Sequence, residues 1–175
     1  VGKLIEVHPD LAADLYQATQ EVTAAHGLPA YEISNHARPG AESRHNLIYW
    51  RYGEYVGIGP GAHGRFIEDG RRVVTFTEKH PETWLALVEA RGSGVVGGEI
   101  LTRSEEADEY LLMGLRLAEG IDLDRYERLA GRPLAPQRVA MLREEGLLAP
   151  VGNSRLRATP SGMVVLDALV ADLAR

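Results

Sequence analysis

The sequence predicts a mixed α/β chain, α+β overall, in which the tail of an α/β repeat precedes a mainly helical, winged-helix-like module. Three observations carry this. An amphipathic helical stretch leads into the β-prone "LPAYEIS", the order of an α/β unit. Asp69-Gly70 separates two β-prone runs, a strong short-range hairpin signal. From residue 99 onward the order is helices, a hairpin and a last helix. With 175 residues, 45% of them hydrophobic and 25% charged, the chain is long enough for one good-sized domain or two small ones.

Each element has a local reason. Leu11, Leu15, Ala18, Val22 and Ala25 recur at helical spacing, with Pro9 and Asp10 at the start and Gly27 after the end. "LPAYEIS" and "EYVGIG" are expected as strands, and "HGRFIEDGRRVVTFT" as the hairpin. "HPETWLALVEARG" is a helix with a first-turn proline and a closing glycine. The glycine-rich "GSGVVGG", residues 92–98, is expected to be a linker, dividing the chain into modules 1–91 and 99–175. Beyond it Thr102 and Glu105 are spaced as a capping box, and Leu111, Leu112, Leu115 and Leu117 give an apolar face. "DLDRYERLAG" and "PQRVAMLREEG" are helices closed by glycines. A hairpin is expected about Gly152-Asn153, and Thr159-Pro160 opens one final helix, "SGMVVLDALVADLA".

Composition narrows the function. A net charge of −6 argues against a general nucleic-acid or membrane-surface binder. The absence of cysteine removes disulfides, thiolate metal sites and a cluster held by this chain's own thiolates. The apolar runs are too short to span a bilayer. "VGKLIEVHPD" shows neither an initiator Met nor a signal-peptide pattern, so the chain is expected to belong to a longer, cytoplasmic protein. His8, His26, His36, His63 and His80 lack the His-x-x-x-His spacing of a helical zinc site.

One segment concentrates chemistry. His45, Asn46, Tyr49 and Trp50 form H-N-x-x-Y-W; on a helix His45 and Tyr49 share one face, Asn46 and Trp50 the adjacent one. An imidazole beside flat aromatic surface suits a planar ligand whose iron the ring nitrogen can hold. Arg38, Arg44 and Arg51 surround it, and guanidinium groups suit carboxylates such as propionates. The same residues also fit buried aromatics with a hydrogen-bonded histidine, and on their chemistry alone that reading leads. The glycine loop "GIGPGAHG", residues 57–64, lacks the Lys-Ser/Thr of a phosphate loop. It allows close backbone approach to a ligand, or is a tight turn at a strand end.

"YEISNHARPG", "SRHNLIYWRYGEYVGIGPGAHG" and "LTRSEEADEYLLMGLRL" together resemble the C-terminal half of the oxygen-independent coproporphyrinogen III oxidase family, particularly its haem-chaperone branch. The resemblance covers essentially the whole chain. It implies the last part of a radical-SAM partial barrel, then the family's C-terminal domain. In the family's haem-chaperone branch the H-N-x-x-Y-W motif is linked to haem, and the resemblance therefore implies a tetrapyrrole role for His45, Asn46, Tyr49 and Trp50, with His45 on the iron and Arg44 or Arg51 on propionates. Gly59, Gly61, Ala62 and His63 fall on a loop resembling the one beside S-adenosylmethionine. The [4Fe–4S] cluster and S-adenosylmethionine are expected only in an intact parent, since the family's Cys-x-x-x-Cys-x-x-Cys is missing here. This stretch alone is therefore expected to be catalytically inactive, whether the parent decarboxylates coproporphyrinogen or passes haem to acceptor haem proteins. The alternative is a non-enzymatic winged-helix module for DNA or protein. Its candidate recognition helix carries Arg138 and Arg143 but also Glu144 and Glu145, which is poor support for a DNA reader.

Overall fold

Helix α1 (Pro9–Ala25) forms where the periodicity places it, but no residue of it is fully buried. A short helix α2 (Arg44–Trp50) follows, its N-terminus capped by the Ser43 hydroxyl, which accepts from Asn46 N. The structure, a computed structural model, describes residues 7–174. Residues 1–6 of the expected first module and Arg175 of the second lie outside the described residues.

Strands β1 (His63–Glu68) and β2 (Arg71–Thr77) pair antiparallel about Asp69-Gly70. Both turn residues have positive φ, 49° and 74°, as a type I′ turn requires. Helix α3 (Pro81–Arg91) ends on Gly92 in the left-handed conformation. Strand β3 (Val95–Ile100) then adds to β2, giving the order β1-β2-β3. Residues 95–98 are thus sheet, not linker. Glycine suits this strand because the Phe76 ring lies where a side chain at Gly97 would be.

Helix α4 (Arg103–Gly114) carries the full capping box: Thr102 Oγ1 accepts from Glu105 N, and the Glu105 carboxylate accepts from Thr102 N. The two-residue strand β4 (Ile121–Asp122), helices α5 (Leu123–Ala130) and α6 (Pro136–Glu144), and the hairpin β5 (Leu148–Val151) and β6 (Arg155–Ala158) follow. The second sheet has the antiparallel order β4-β6-β5. The expected single last helix is two, α7 (Pro160–Val164) and α8 (Leu166–Leu173), broken at Val165 with φ −115°. The break lets Leu166, Leu169, Val170 and Leu173 bury together.

Two further expectations are corrected. "LPAYEIS" makes isolated bridges, Ala30 to His36 and Glu32 to Leu117, and "EYVGIG" a single one, Tyr55 to Arg65. A strand needs a continuous ladder of partners, and the described residues supply only these points. Leu111, Leu115 and Leu117 of the apolar face are buried, whereas Leu112 is exposed. The main core draws on α4, α5, α6, α8 and the second sheet. Among the described residues up to Ile100 it takes only Tyr52 as a buried member.

Candidate functional site

The seven-residue helix α2 presents its motif on diverging surfaces. His45 and Tyr49, four apart, meet as expected: the Tyr49 hydroxyl and His45 Nε2 share a hydrogen bond at 3.1 Å, its direction set by the imidazole tautomer. Their rings lie edge to face with centroids 4.8 Å apart. Tyr49 in turn meets Tyr55, 4.4 Å away. His45 is exposed and Tyr49 and Tyr55 are half-buried, so the imidazole stands at the open end of an aromatic row. Asn46 and Trp50 do not act together. Asn46 Nδ2 donates to the Tyr31 hydroxyl at 3.2 Å, while Trp50 lines a separate cavity and lies near the Arg116 guanidinium.

Arg51, the C-cap of α2, is already engaged. Its Nε and one terminal nitrogen donate to the two carboxylate oxygens of Glu119 at 2.9 and 2.8 Å. Glu119 also accepts from Arg155 at 3.3 Å. The hydrogen bond from Arg51, helped by the charge of both arginines, holds the Glu119 carboxyl below its ordinary range. Arg44 is exposed.

The turn after α2 is clamped from both halves of the chain. Tyr52 has a positive φ of 54°, a conformation costing a bulky residue about 1–3 kcal/mol. Arg125 donates to the carbonyls of Arg51 and Tyr52 at 2.8 and 2.9 Å. Arg72 donates to those of Tyr52 and Gly53 and lies 3.9 Å over the Tyr52 ring. The Tyr52 hydroxyl donates to Glu109 at 2.9 Å. Burial foremost, then the Glu109 charge, pushes the Tyr52 phenol upward, so it is the donor at neutral pH.

The glycine loop is built on itself. Thr77 Oγ1 accepts from Ala62 N at 2.9 Å and donates to the Gly59 carbonyl at 2.6 Å. Gly61 N donates to the Glu78 carbonyl. Gly59 and Gly61 have φ of 103° and 69°, which makes the loop a tight turn into β1, with His63 exposed at the strand's first position. His45 is thus brought to Tyr49 and Tyr55, while Gly59, Gly61, Ala62 and His63 are anchored on β2. Among the described residues no cluster of His, Asp and Glu is arranged to hold a metal ion.

On the candidate recognition helix α6, Arg138 is paired with Asp172 at 2.6 Å. No helix among the described residues is long and apolar enough to cross a membrane. Sequence reasoning missed Tyr31, Glu119, Arg125 and Arg155, which reach the motif from other elements and carry no signal in its local spacing.

Comparison with known proteins gives this geometry a context. Residues 101–165 match the family described as HemN C-terminal domain. The chain is 37% identical, over 182 aligned positions covering 98% of it and 41% of the relative, to the mitochondrial radical S-adenosyl methionine domain-containing protein 1 of Bos taurus. It is 36% identical to the haem chaperone HemW of Mycobacterium tuberculosis, covering 98% of this chain and 42% of that one. It is 35% identical to HemW of Bacillus subtilis, covering 84% and 38%. The chain therefore spans about two fifths of the length of these relatives. The fold is that seen in coproporphyrinogen III oxidase HemN of Escherichia coli, described as a radical SAM enzyme, with a TM-score of 0.68 at 17% identity over 96% of this chain and 42% of that chain. With motif, fold and relatives in agreement, the chain belongs to the HemN/HemW radical-SAM family and carries its HemN C-terminal domain.

Proposed function

We propose that this chain is the haem-holding part of a haem chaperone, and that His45 is its iron ligand. The observation that supports this best is the exposed His45 imidazole at the end of the Tyr49–Tyr55 row. A neutral imidazole nitrogen is a common haem ligand, and flat aromatic surface beside it suits the macrocycle. The name haem chaperone borne by several relatives favours cargo handling over decarboxylation. Tyr49 positions the ring through Nε2 and gives up that bond when iron takes the same nitrogen. Arg44, exposed at the start of α2, is the available partner for a propionate. The parent is expected to be cytoplasmic, its haem passing to acceptor haem proteins.

The family also implies a [4Fe–4S] cluster and S-adenosylmethionine. With no cysteine among the 175 residues, this stretch has no thiolates to hold the cluster. Its ligands would have to come from elsewhere in a parent, and no step is derived through either group.

The test is haem titration followed at the Soret band. Wild type should bind with a shifted band, and His45→Ala should lose the shift with its fold unchanged by circular dichroism. Tyr49→Phe, which keeps the ring and removes the competing hydroxyl, should retain binding. Identical spectra and affinity for wild type and His45→Ala would return His45 to a structural role.

A further inference from the structure

Between the end of α2 and the start of α5 lies a cavity of about 340 Å³ whose charge is opposite to that of the protein. Its wall holds Arg51, Arg125, Arg128 and Arg155 against Glu119 and Asp122. That leaves a formal excess of two positive charges in a chain of net charge −6. Clefts lined by one sign of charge focus the potential and concentrate ligands of the other sign.

The arginines differ in how free they are. Arg51 and Arg155 share the Glu119 carboxylate. Arg125 donates from both terminal nitrogens to backbone carbonyls, which carry no formal charge to offset its own. The Asp122 carboxylate is occupied as the N-cap of α5, accepting from Arg125 N at 2.7 Å. Arg128, one turn further along α5, is exposed and forms no ion pair among the described residues. Trp50, the last residue of the motif helix, and Tyr110 add aromatic wall. Guanidinium forks match carboxylates, and an indole face matches a flat ring system.

We propose that this cavity seats a propionate carboxylate of a tetrapyrrole, held by Arg128 and by the charge of Arg125, with the ring edge against Trp50. The assignment rests on the tetrapyrrole reading above but not on iron ligation, because the carboxylate and the metal are read by different residues. It adds a contact from the C-terminal domain to a site otherwise built on α2. It also gives Glu119 a second part, as an internal carboxylate that competes with the ligand for Arg51 and Arg155.

The test uses metal-free protoporphyrin IX, its dimethyl ester, and the fluorescence of Trp50. The chain has two tryptophans, so Trp84→Phe makes Trp50 the only indole. The free acid should quench Trp50, and the dimethyl ester should bind about tenfold more weakly, the loss expected for a charge-assisted hydrogen bond. Arg128→Gln should weaken the acid by about the same factor and leave the ester unchanged. Glu119→Gln should tighten the acid. The porphyrin in this assay carries no metal, so its binding involves no iron ligation, and a failure of the iron-ligand reading is distinguishable from a failure here. Equal affinity for acid and ester, or an Arg128→Gln protein that binds the acid like wild type, would overturn the proposal. So would succinate or a Glu-rich peptide binding as tightly as the porphyrin, since the cavity would then serve free carboxylates. A Soret shift with haem that depends on His45 but not on Arg128 would keep the ligand and remove the propionate seat.

Discussion

At the scale of single residues, Arg51 is the side chain whose surroundings changed its meaning most. By sequence it is one of three arginines near an imidazole; in the fold it grips Glu119, 68 positions away, through two parallel hydrogen bonds. Because the folded carboxyl is held below its ordinary value, the pair stabilises the fold fully above the unfolded carboxylate pKa of about 4.3. That contribution is lost as the pH falls through the lower, folded value. Both partners are partly exposed, so the effect is modest and screened by salt. The stability difference between wild type and Glu119→Gln, measured by denaturant unfolding, should shrink from about pH 7 to about pH 3. A constant difference would assign the loss to packing. Gly120, the next residue, has a φ of 66°, and a side chain there would run into the Leu156 carbonyl. Gly120→Ala should therefore cost roughly 1–3 kcal/mol from overpacking and about 1 kcal/mol more from the left-handed backbone, read as a lowered unfolding midpoint.

Among the elements, α4 shows local sequence and tertiary packing acting together. Its capping box forms as spaced, and the helix then buries Ala107, Tyr110, Leu111 and Gly114. Thr102→Ala should cost about 1 kcal/mol, and Thr102→Ser should recover most of it because the hydroxyl returns. Equal stability for all three proteins would mean that burial alone fixes the helix start. Strand β3 shows the opposite case. "GSGVVGG" has the composition of a linker, but Val95 and the residues after it find open backbone partners on β2. Pairing there is decided by the neighbouring strand, which composition does not encode.

At the scale of the whole molecule the two halves are built differently. Buried core residues cluster between Ala107 and Leu173, whereas the described residues before Leu101 bury few apolar side chains and leave Leu11, Leu15 and Val22 of α1 exposed. The halves meet largely through charge: Arg72 with Glu106, Arg65 with Glu109, and Arg51 with Glu119. We place the module division after β3, at Leu101, a few residues later than the glycine-rich stretch suggests. Residues 101–175 expressed alone should unfold cooperatively with near-native circular dichroism, and residues 1–100 should not. A 101–175 piece without a cooperative transition would mean that the halves share one core through Tyr52.

The sequence by itself determined what depends on near neighbours. It specified most of the helices through spacing and caps, though not the break at Val165, and the two hairpins through Asp69-Gly70 and Gly152-Asn153. Once α2 is helical it also dictates the meeting of His45 with Tyr49, because four residues make about one helical turn. It also pointed to the family through motifs that need no coordinates to be seen. Only the tertiary structure decided which side of the motif faces what. Trp50 turned away from His45 toward an arginine-lined cavity, Arg51 was taken by Glu119, and residues 95–98 of "GSGVVGG" joined an edge strand. These outcomes hang on partners tens of residues distant. An arginine carries the same charge whether it is free for a ligand or bound within the fold, and only the position of the carboxylate that reaches it separates the two.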